Sequence, residues 1–190
     1  MKVFPHFVIV GFSNSYLIAS DNGHDHDAVI IDPGIFDSKL LKMIEDNKLY
    51  IKKILVTHAH KAHIDGITTL LKIYDAKIYA FRDKILEFKT ISVKQNKTIE
   101  CGPLCFKVIE TPGHSRDSLV FKIDNYLFTG DILTSGKIGS YVHESARNLI
   151  LSSIREKLFP FGDETIVFPG HGPPTKLGIE RLYNPALQKF

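Results

Sequence analysis

Three histidines that stand close together in the sequence could hold a metal ion. His58, His60 and His63 lie in the segment THAHKAHIDG, residues 57–66. A His-x-His pair that leaves a strand places both imidazole rings on one side, because alternate residues of a strand share a face. Neutral imidazole binds zinc or iron well, and three rings with a carboxylate leave one position for water. The segment therefore predicts a catalytic metal site.

Three further candidate ligands each follow an apolar strand pattern, namely His114 in TPGH, Asp131 in FTGD and His171 in PGHG. Loops after strand ends are where α/β folds usually build sites, because a rigid sheet holds those side chains. Taken singly, each histidine is more often a surface residue, and Asp131 could simply close a turn. Their coincidence with residues 57–66 predicts one shared metal centre. The His-x-His pair at residues 24–26 lies in a polar stretch without other ligands and predicts only a loop.

The elements that must position these residues alternate along the chain. Strand patterns cover residues 7–10, 16–19, 28–31, 51–56, 77–81, 104–110, 118–123, 126–129 and 165–168. Helical patterns cover residues 37–47, 64–74 and 146–158. Mixed strands and helices in 190 residues predict a layered α/β architecture. We expect a single domain over residues 1–190, with no separate C-terminal substrate domain.

Composition narrows the class of protein. The chain has 24 Lys and Arg against 21 Asp and Glu, and 44% of its residues are hydrophobic. These values exclude a disordered chain and a small disulfide scaffold. Acidic residues interrupt even the most basic stretch, residues 82–97, so this stretch is predicted to be a solvated face and we expect no nucleic-acid partner.

Cysteine usage and the N-terminal segment indicate the compartment. Cys101 and Cys105 are predicted to be free thiols that flank a turn, because two cysteines are too few for a disulfide framework. The apolar runs of residues 1–20 are too short for a signal peptide or a membrane span. We therefore expect a cytoplasmic protein with no membrane partner.

Five motifs, in order along nearly the whole chain, resemble the metallo-β-lactamase superfamily. They are IDPG at 31–34, THAHKAHIDG at 57–66, TPGHS at 111–115, FTGD at 128–131 and PGHGP at 169–173. Residues 173–185 further resemble the small single-domain branch of the glyoxalase II-like hydrolases. The resemblance implies an αββα sandwich, with the metal centre between the loop edges of its sheets.

The resemblance also implies a role for each candidate ligand. His58, His60 and His114 would bind the first metal, His63 and His171 would bind the second, and Asp131 would bridge the two. Asp32 is implied as a supporting residue, and its alternative role is to form the turn of Asp-Pro-Gly. The implied cofactor is zinc, as one or two ions, with iron or manganese as alternatives.

Ala62 departs from the family pattern, which has an aspartate that binds the second metal at this position. A methyl group cannot bind a metal, and Asp65 is turned roughly 200° from His63 on a helix. Losing a supporting partner typically costs about 10- to 100-fold in metal affinity, so losing a ligand should cost at least that. Three explanations stay open: one metal by nature, a weakened second metal, or an introduced change that disables the enzyme.

We predict a metal-dependent hydrolase that uses a metal-bound hydroxide on a small-molecule substrate. The resemblance implies a thioester such as a hydroxyacyl-glutathione. The family commonly has a cation after the glycine that matches Gly139, but here Ser140 follows. Lys137 and Tyr141 are candidate substrate contacts in its place, and each is also an ordinary loop residue.

Two other functions compete with hydrolysis. A mononuclear iron persulfide dioxygenase of the same fold would use positions that match His58, His114 and Asp131, and it would tolerate Ala62. A non-catalytic metal-binding protein would keep the first ligand set without turnover. The sequence leaves the choice between them, and the oligomeric state, open.

Overall fold

Two six-stranded sheets form the centre of the computed structural model, which describes residues 1–9, 11–21 and 26–188. The strands are Lys2–Val8 (β1), Ser13–Ala19 (β2), Asp27–Ile31 (β3), Tyr50–Leu55 (β4), Lys77–Ala80 (β5), Lys84–Ile85 (β6), Phe88–Lys89 (β7), Ile91–Ser92 (β8), Thr98–Cys101 (β9), Leu104–Glu110 (β10), Leu119–Ile123 (β11), Tyr126–Gly130 (β12), Leu133–Thr134 (β13), Lys137–Ile138 (β14), Ile166–Pro169 (β15) and Thr175–Lys176 (β16). The first sheet has the order β1-β2-β3-β4-β5-β8, and the second β16-β15-β12-β11-β10-β9. The hairpins β6–β7 and β13–β14 stand apart from both. Residues 24 and 25 of the predicted polar loop lie outside the described residues.

Helices cover the outer faces of both sheets. They are Ser38–Asp46 (α1), Lys61–Ile64 (α2), Ile67–Leu70 (α3), Glu144–Ser152 (α4), Leu177–Tyr183 (α5) and Pro185–Gln188 (α6), with a π-helix at Ser153–Leu158 and a 3-10 helix at Phe159–Phe161. Asp37 caps α1, because its side chain accepts a hydrogen bond from the Leu40 N–H at 2.9 Å. Among the residues described, no helix is both long and apolar enough to cross a membrane.

Three hydrophobic cores separate four layers. The central core lies between the two sheets, where Tyr16 and Ile18 of β2 face Phe106 of β10 and Phe121 of β11. A second core joins the outer face of the first sheet to α1, α2 and α3. A third joins the outer face of the second sheet to α4, α5, α6 and the π-helix. The strands alternate between cores, since successive side chains point to opposite faces. The αββα sandwich is therefore confirmed.

Strand direction brings the predicted ligands to one edge of the sandwich. Strands β3 and β4 are parallel in the first sheet. In the second sheet, β10 and β12 each pair antiparallel with β11, and β15 is parallel to β12, so these three strands run the same way. The loops after all five strands carry the candidate residues. Residues far apart in the sequence thus meet at the carboxyl ends of the strands.

Two predicted helices differ from the structure. The pattern over residues 64–74 forms two short helices, because the Gly66 backbone packs on the Pro33 carbonyl, which its N–H contacts at 2.8 Å. A Cβ at Gly66 would lie 2.6 Å from that oxygen. The pattern over residues 146–158 is α-helical only as far as Ser152 and continues as the π-helix. As predicted, Cys101 and Cys105 form no disulfide, and they lie on either side of a turn.

Candidate metal centre

The first ligand cluster combines three histidines with one aspartate. The His60 Nδ1 atom lies 3.0 Å from His58 Nε2 and 3.2 Å from His114 Nε2. The Asp131 Oδ2 atom lies 3.6 Å from His58 Nε2 and 3.5 Å from His114 Nε2. All four donor atoms lie within 4.8 Å of one another. The four residues predicted for the first metal therefore come together.

The second cluster shares Asp131 with the first. The Asp131 Oδ1 atom lies 3.4 Å from His63 Nε2, and the Asp131 Oδ2 atom lies 3.4 Å from His171 Nε2. His63 is fully buried on α2, which begins directly after His60. The side chain of His171 is 36% exposed. Asp131 thus lies between two groups of histidines, as predicted for a bridging ligand.

Hydrogen bonds at the back of the clusters fix the proton positions of the rings. The His114 Nδ1–H donates to the Ser140 carbonyl at 2.9 Å, and the His171 Nδ1–H donates to the Phe12 carbonyl at 2.8 Å. The Thr57 hydroxyl lies 3.0 Å from His58 Nδ1 and itself donates to a carboxylate, so the ring nitrogen is the donor. A ring that donates through Nδ1 leaves the lone pair of Nε2 free for a metal ion. In these three histidines that lone pair faces the clusters.

Asp32 supports the site from behind. Its carboxylate accepts hydrogen bonds from the Thr57 N–H at 2.7 Å and from the Thr57 hydroxyl at 2.6 Å. Its Oδ2 atom also lies 3.3 Å from His63 Nδ1. Asp32 has a positive φ of 51°, a conformation that asparagine and aspartate tolerate better than most residues. The predicted supporting position and the turn-forming role therefore occur in the same residue.

Burial and neighbouring rings lower the pKa of two histidines of the first cluster, His58 and His60. Burial, together with the nearby ring of His63, lowers the pKa of His58 to about 2. Burial and the ring of His114 likewise lower the pKa of His60. Neutral imidazole is the form that binds metal ions. These rings are therefore ready to act as ligands at neutral pH.

The second cluster attracts positive charge. Burial opposes protonation of His63, but the carboxylates of Asp131 and Asp32 outweigh it and raise its pKa to about 10. Asp131 also raises the pKa of His171. Burial opposes ionisation of Asp131, but His171 and His63 outweigh it and lower its pKa. The electrostatic field of this site thus favours a cation.

The residues fit a bound cation. Among the described residues, three buried atoms at the site have no hydrogen-bond partner: His63 Nδ1, His63 Nε2 and Asp131 Oδ1. In the first cluster, His60 can supply at most one proton to the two lone pairs of His58 and His114 that face it. Converging lone pairs and a carboxylate repel one another unless a positive charge lies between them. Divalent ions in the two clusters would satisfy the converging lone pairs, including His63 Nε2 and Asp131 Oδ1, and His63 Nδ1 would then face Asp32.

Comparison with known families decides the affiliation of the chain. The profile of the Metallo-beta-lactamase superfamily matches residues 8–171. The chain belongs to the metallo-β-lactamase superfamily. This superfamily binds divalent metal ions, and this member has two clusters of histidine and aspartate that could hold them.

Individual members of the superfamily are similar over most of the chain. A hydroxyacylglutathione hydrolase of Psychromonas ingrahamii is 33% identical over 165 residues, which cover 86% of this chain and 63% of the relative. The crystal structure of ETHE1 from Myxococcus xanthus has a TM-score of 0.89 at 26% identity, covering 100% of this chain and 86% of that one. The BLEG-1 B3 metallo-beta-lactamase has a TM-score of 0.85 at 28% identity and 99% coverage of both chains. The chain therefore spans less than two thirds of the hydrolase that it matches.

Ala62 leaves the second cluster of this superfamily member with three donors. Its methyl group packs beside the backbone of Gly11, where an added Cβ would lie 3.0 Å from it. Its carbonyl accepts a hydrogen bond from the Ser13 hydroxyl at 2.7 Å. Asp65 lies 3.5 Å from the Lys61 ammonium and is in neither cluster. Within the described residues, Asp131 is the one carboxylate of this cluster.

Sequence reasoning missed two residues beside the first cluster. Asp117 is buried, and its Oδ2 atom accepts a hydrogen bond from the Ala59 N–H at 3.2 Å. The same oxygen pairs with Arg82 Nε at 2.6 Å. Arg82 was part of a stretch predicted to be a solvated face. The position of Asp117 just after the TPGHS motif could have drawn attention to it. Nothing in the sequence links Asp117 to Arg82, which lies 35 positions earlier.

The two predicted substrate contacts lie on the exposed surface on either side of Ser140. Lys137 belongs to β14, and Tyr141 is 43% exposed in the segment before α4. Their contact with a substrate stays a prediction. Ser140 itself has a clearer role, because its carbonyl holds the His114 ring.

Proposed function

We propose that this chain is a metallo-hydrolase that cleaves a thioester of the hydroxyacyl-glutathione type. The observation that carries the proposal is the complete first cluster, whose three histidines and Asp131 converge at donor distances. A divalent ion bound there would lower the pKa of a water molecule and polarise the substrate carbonyl. The 33% identity to a hydroxyacylglutathione hydrolase supports the choice of a thioester.

The residues of the chain orient the reaction. Ser140 and Thr57 hold the protons of His114 and His58 away from the centre, and the ionised Asp131 lies between both clusters. The exposed His60 places the open side of the site toward solvent, where a substrate can enter. In the overall reaction, water adds to the acyl carbon and the C–S bond breaks. The products are a carboxylic acid and a thiol.

We propose zinc as the metal, and the donor set also suits iron or manganese. Nitrogen donors with one carboxylate are common to all three ions. We propose that one ion binds tightly in the first cluster and that a second binds weakly or not at all. Both the number of bound ions per chain and the identity of the metal therefore have to be measured.

The test combines a metal count with turnover. The protein is loaded separately with zinc, iron and manganese, the bound metal is counted by mass spectrometry, and hydrolysis of S-lactoylglutathione is measured. We expect at least one ion per chain and turnover that disappears in Asp131→Ala. Lys42→Ala on α1 is the control, because the Lys42 ammonium is exposed and pairs with Asp46 on the surface. A protein that binds no metal, or that binds it and leaves the thioester intact, would refute the proposal.

The variant Ala62→Asp tests the second cluster. Because the variant adds a carboxylate beside His63, we expect the affinity for the second ion to rise at least about 10- to 100-fold, with a count of two ions per chain. Ala62→Asn is the matched control, since it has a similar volume without the charge. If Ala62→Asp still binds one ion, the missing carboxylate does not limit the second cluster.

A second candidate is oxidation of a persulfide at a single iron ion. The observation that favours it is the position of Ala62, which removes a ligand of the second cluster and leaves the first complete. Oxygen uptake with glutathione persulfide by the iron-loaded protein, without thioester cleavage, would select this candidate. Metal binding without turnover of any ester, thioester, lactone or persulfide would indicate a non-catalytic metal-binding protein. A small-molecule partner and a cytoplasmic location stay predictions.

A further inference from the structure

An arginine lies two contacts away from the histidines of the first cluster. The Arg82 Nε atom pairs with Asp117 Oδ2 at 2.6 Å, and the same oxygen accepts a hydrogen bond from the Ala59 N–H at 3.2 Å. Ala59 is the residue between His58 and His60. Arg82 also follows β5, which runs parallel to β4, so its positive charge lies at the same sheet edge as the ligands.

The guanidinium of Arg82 is held in place through its Nε atom, which pairs with Asp117. The side chain of Asp117 is 5% exposed, whereas that of Arg82 is 56% exposed. Asp117 is the ion-pair partner of Arg82 Nε, and within the described part of the chain neither Nη nitrogen donates a hydrogen bond. The two Nη groups of a guanidinium match the two oxygens of a carboxylate. Because the buried Asp117 pairs with Nε, the two Nη groups of the exposed Arg82 side chain can still bind a carboxylate.

We propose that Arg82 binds a carboxylate of the substrate and so selects anionic acyl thioesters. The inference rests on the proposed function, because a glutathione thioester carries two carboxylates at neutral pH. Holding an arginine before the ligand arrives lowers the entropic cost of binding. Two other cations lie near the ligands, and neither is held in this way. Lys61 is 85% exposed and pairs loosely with Asp65, and Arg116 is an exposed loop residue.

The first arm of the test measures binding without turnover. Isothermal titration calorimetry with S-methylglutathione, which the enzyme cannot hydrolyse, is run on the metal-loaded and the metal-free protein. We expect Arg82→Gln to weaken binding about 10-fold, because a charge-assisted hydrogen-bond pair is lost at a partly exposed position. Arg82→Lys should weaken binding by most of this factor as well, since an ammonium cannot form the paired contact. Unchanged binding in Arg82→Gln would overturn the inference.

The second arm compares two substrates that differ in charge. S-lactoylglutathione is anionic, and S-lactoyl-N-acetylcysteamine carries the same acyl group without a carboxylate. We expect Arg82→Gln to raise KM about 10-fold for the anionic thioester and to leave kcat and the neutral thioester unchanged. The KM of the wild type for the anionic thioester should also rise with salt, because screening weakens an exposed ionic contact.

Two further variants separate recognition from support of the metal site. Arg181→Gln removes a comparable partly exposed arginine of α5, which pairs with Asp163, and should leave the turnover of both substrates unaffected. If Arg116→Gln has the effect instead, the carboxylate binds elsewhere and the inference is wrong. It is also wrong if Arg82→Gln weakens metal binding and slows both thioesters equally, because Arg82 would then only hold the ligand loop.

The two arms keep the inference distinct from the proposed function. If neither thioester is cleaved but S-methylglutathione binding depends on Arg82, the proposed hydrolysis fails and the carboxylate site stands. If both thioesters are cleaved regardless of Arg82, hydrolysis stands and the carboxylate site fails.

Discussion

Replacing Gly170 by alanine should disturb both ligand clusters at once. A Cβ at this position would overlap Asp131 Oδ1 and lie 2.8 Å from His63 Cε1 and 3.0 Å from the Gly130 carbonyl carbon. Asp32 lies behind His63, and histidines of both clusters surround the Asp131 carboxylate, so neither side chain can move away without leaving its position as a ligand. The φ angle of Gly170 is outside the left-handed region, so the effect is steric.

The expected magnitude follows from these contacts. Forcing an extra methyl group into a packed interior typically costs about 1–3 kcal/mol of unfolding free energy. Displacing Asp131 removes a donor from both clusters, and we expect metal affinity to fall at least about 10- to 100-fold. The two effects are separable, because the first is measured without metal and the second is a dissociation constant.

Urea unfolding of the metal-free protein and calorimetric metal titration measure the two quantities. Gly136→Ala is the control, since Gly136 has a φ of +74° and nothing within 4 Å of an added Cβ. The unfolding free energy of the control should fall by about 1–2 kcal/mol from left-handed strain alone, and its metal affinity should equal that of the wild type. If Gly170→Ala binds metal as tightly as the wild type, the Asp131 position seen here does not determine binding.

Three further predictions address the support, the stability and the metal dependence of the fold. Asp117→Ala should weaken metal binding about 10-fold, and Asp117→Asn less, because asparagine keeps an acceptor for the Ala59 N–H; equal losses in calorimetric titration would contradict this. Asp37→Ala should cost about 1 kcal/mol at neutral pH by urea unfolding. Burial opposes ionisation of Asp37, but the Leu40 N–H and His6 outweigh burial and lower the pKa of Asp37. The stability that the ionised Asp37 contributes is therefore lost as the pH falls through its folded pKa. A stability difference between wild type and Asp37→Ala that persists in acid would contradict this prediction. Removing bound metal with a chelator should lower the unfolding free energy by about 2.7 kcal/mol when free metal had been 100-fold above Kd, and His58→Ala should show no such change by thermal unfolding.

The sequence predicted which histidines and which aspartate come together because their positions have a local cause. Each of the four loops begins where an apolar strand ends, and a strand end fixes where the next side chain points. His63 is the exception, since its burial depends on the short helix α2, which begins directly after His60. The longer helix predicted over residues 64–74 was wrong because Gly66 makes a tertiary contact with Pro33 that periodicity does not encode.

The support of the ligands was not predictable from local patterns. Arg82 and Asp117 lie 35 positions apart and meet only when the two sheets pack. The same holds for Ser140, whose backbone carbonyl accepts the His114 Nδ1–H at 2.9 Å and whose hydroxyl oxygen lies 3.3 Å from the same nitrogen. Backbone acceptors and distant ion pairs leave no sequence signature, whereas ligand side chains do.

Charge balance explains why one tightly bound ion is expected. Asp131 is the single carboxylate among the donors of both clusters, and the other donors are neutral imidazoles when a metal is bound. Asp32 is the next carboxylate, but Thr57 donates to both of its oxygens. Two divalent ions would bring four positive charges to one shared anionic ligand, and like charges this close repel strongly in a buried site. An aspartate at position 62 would add both a donor and a negative charge to the weaker cluster, so its absence favours binding in two steps of unequal affinity.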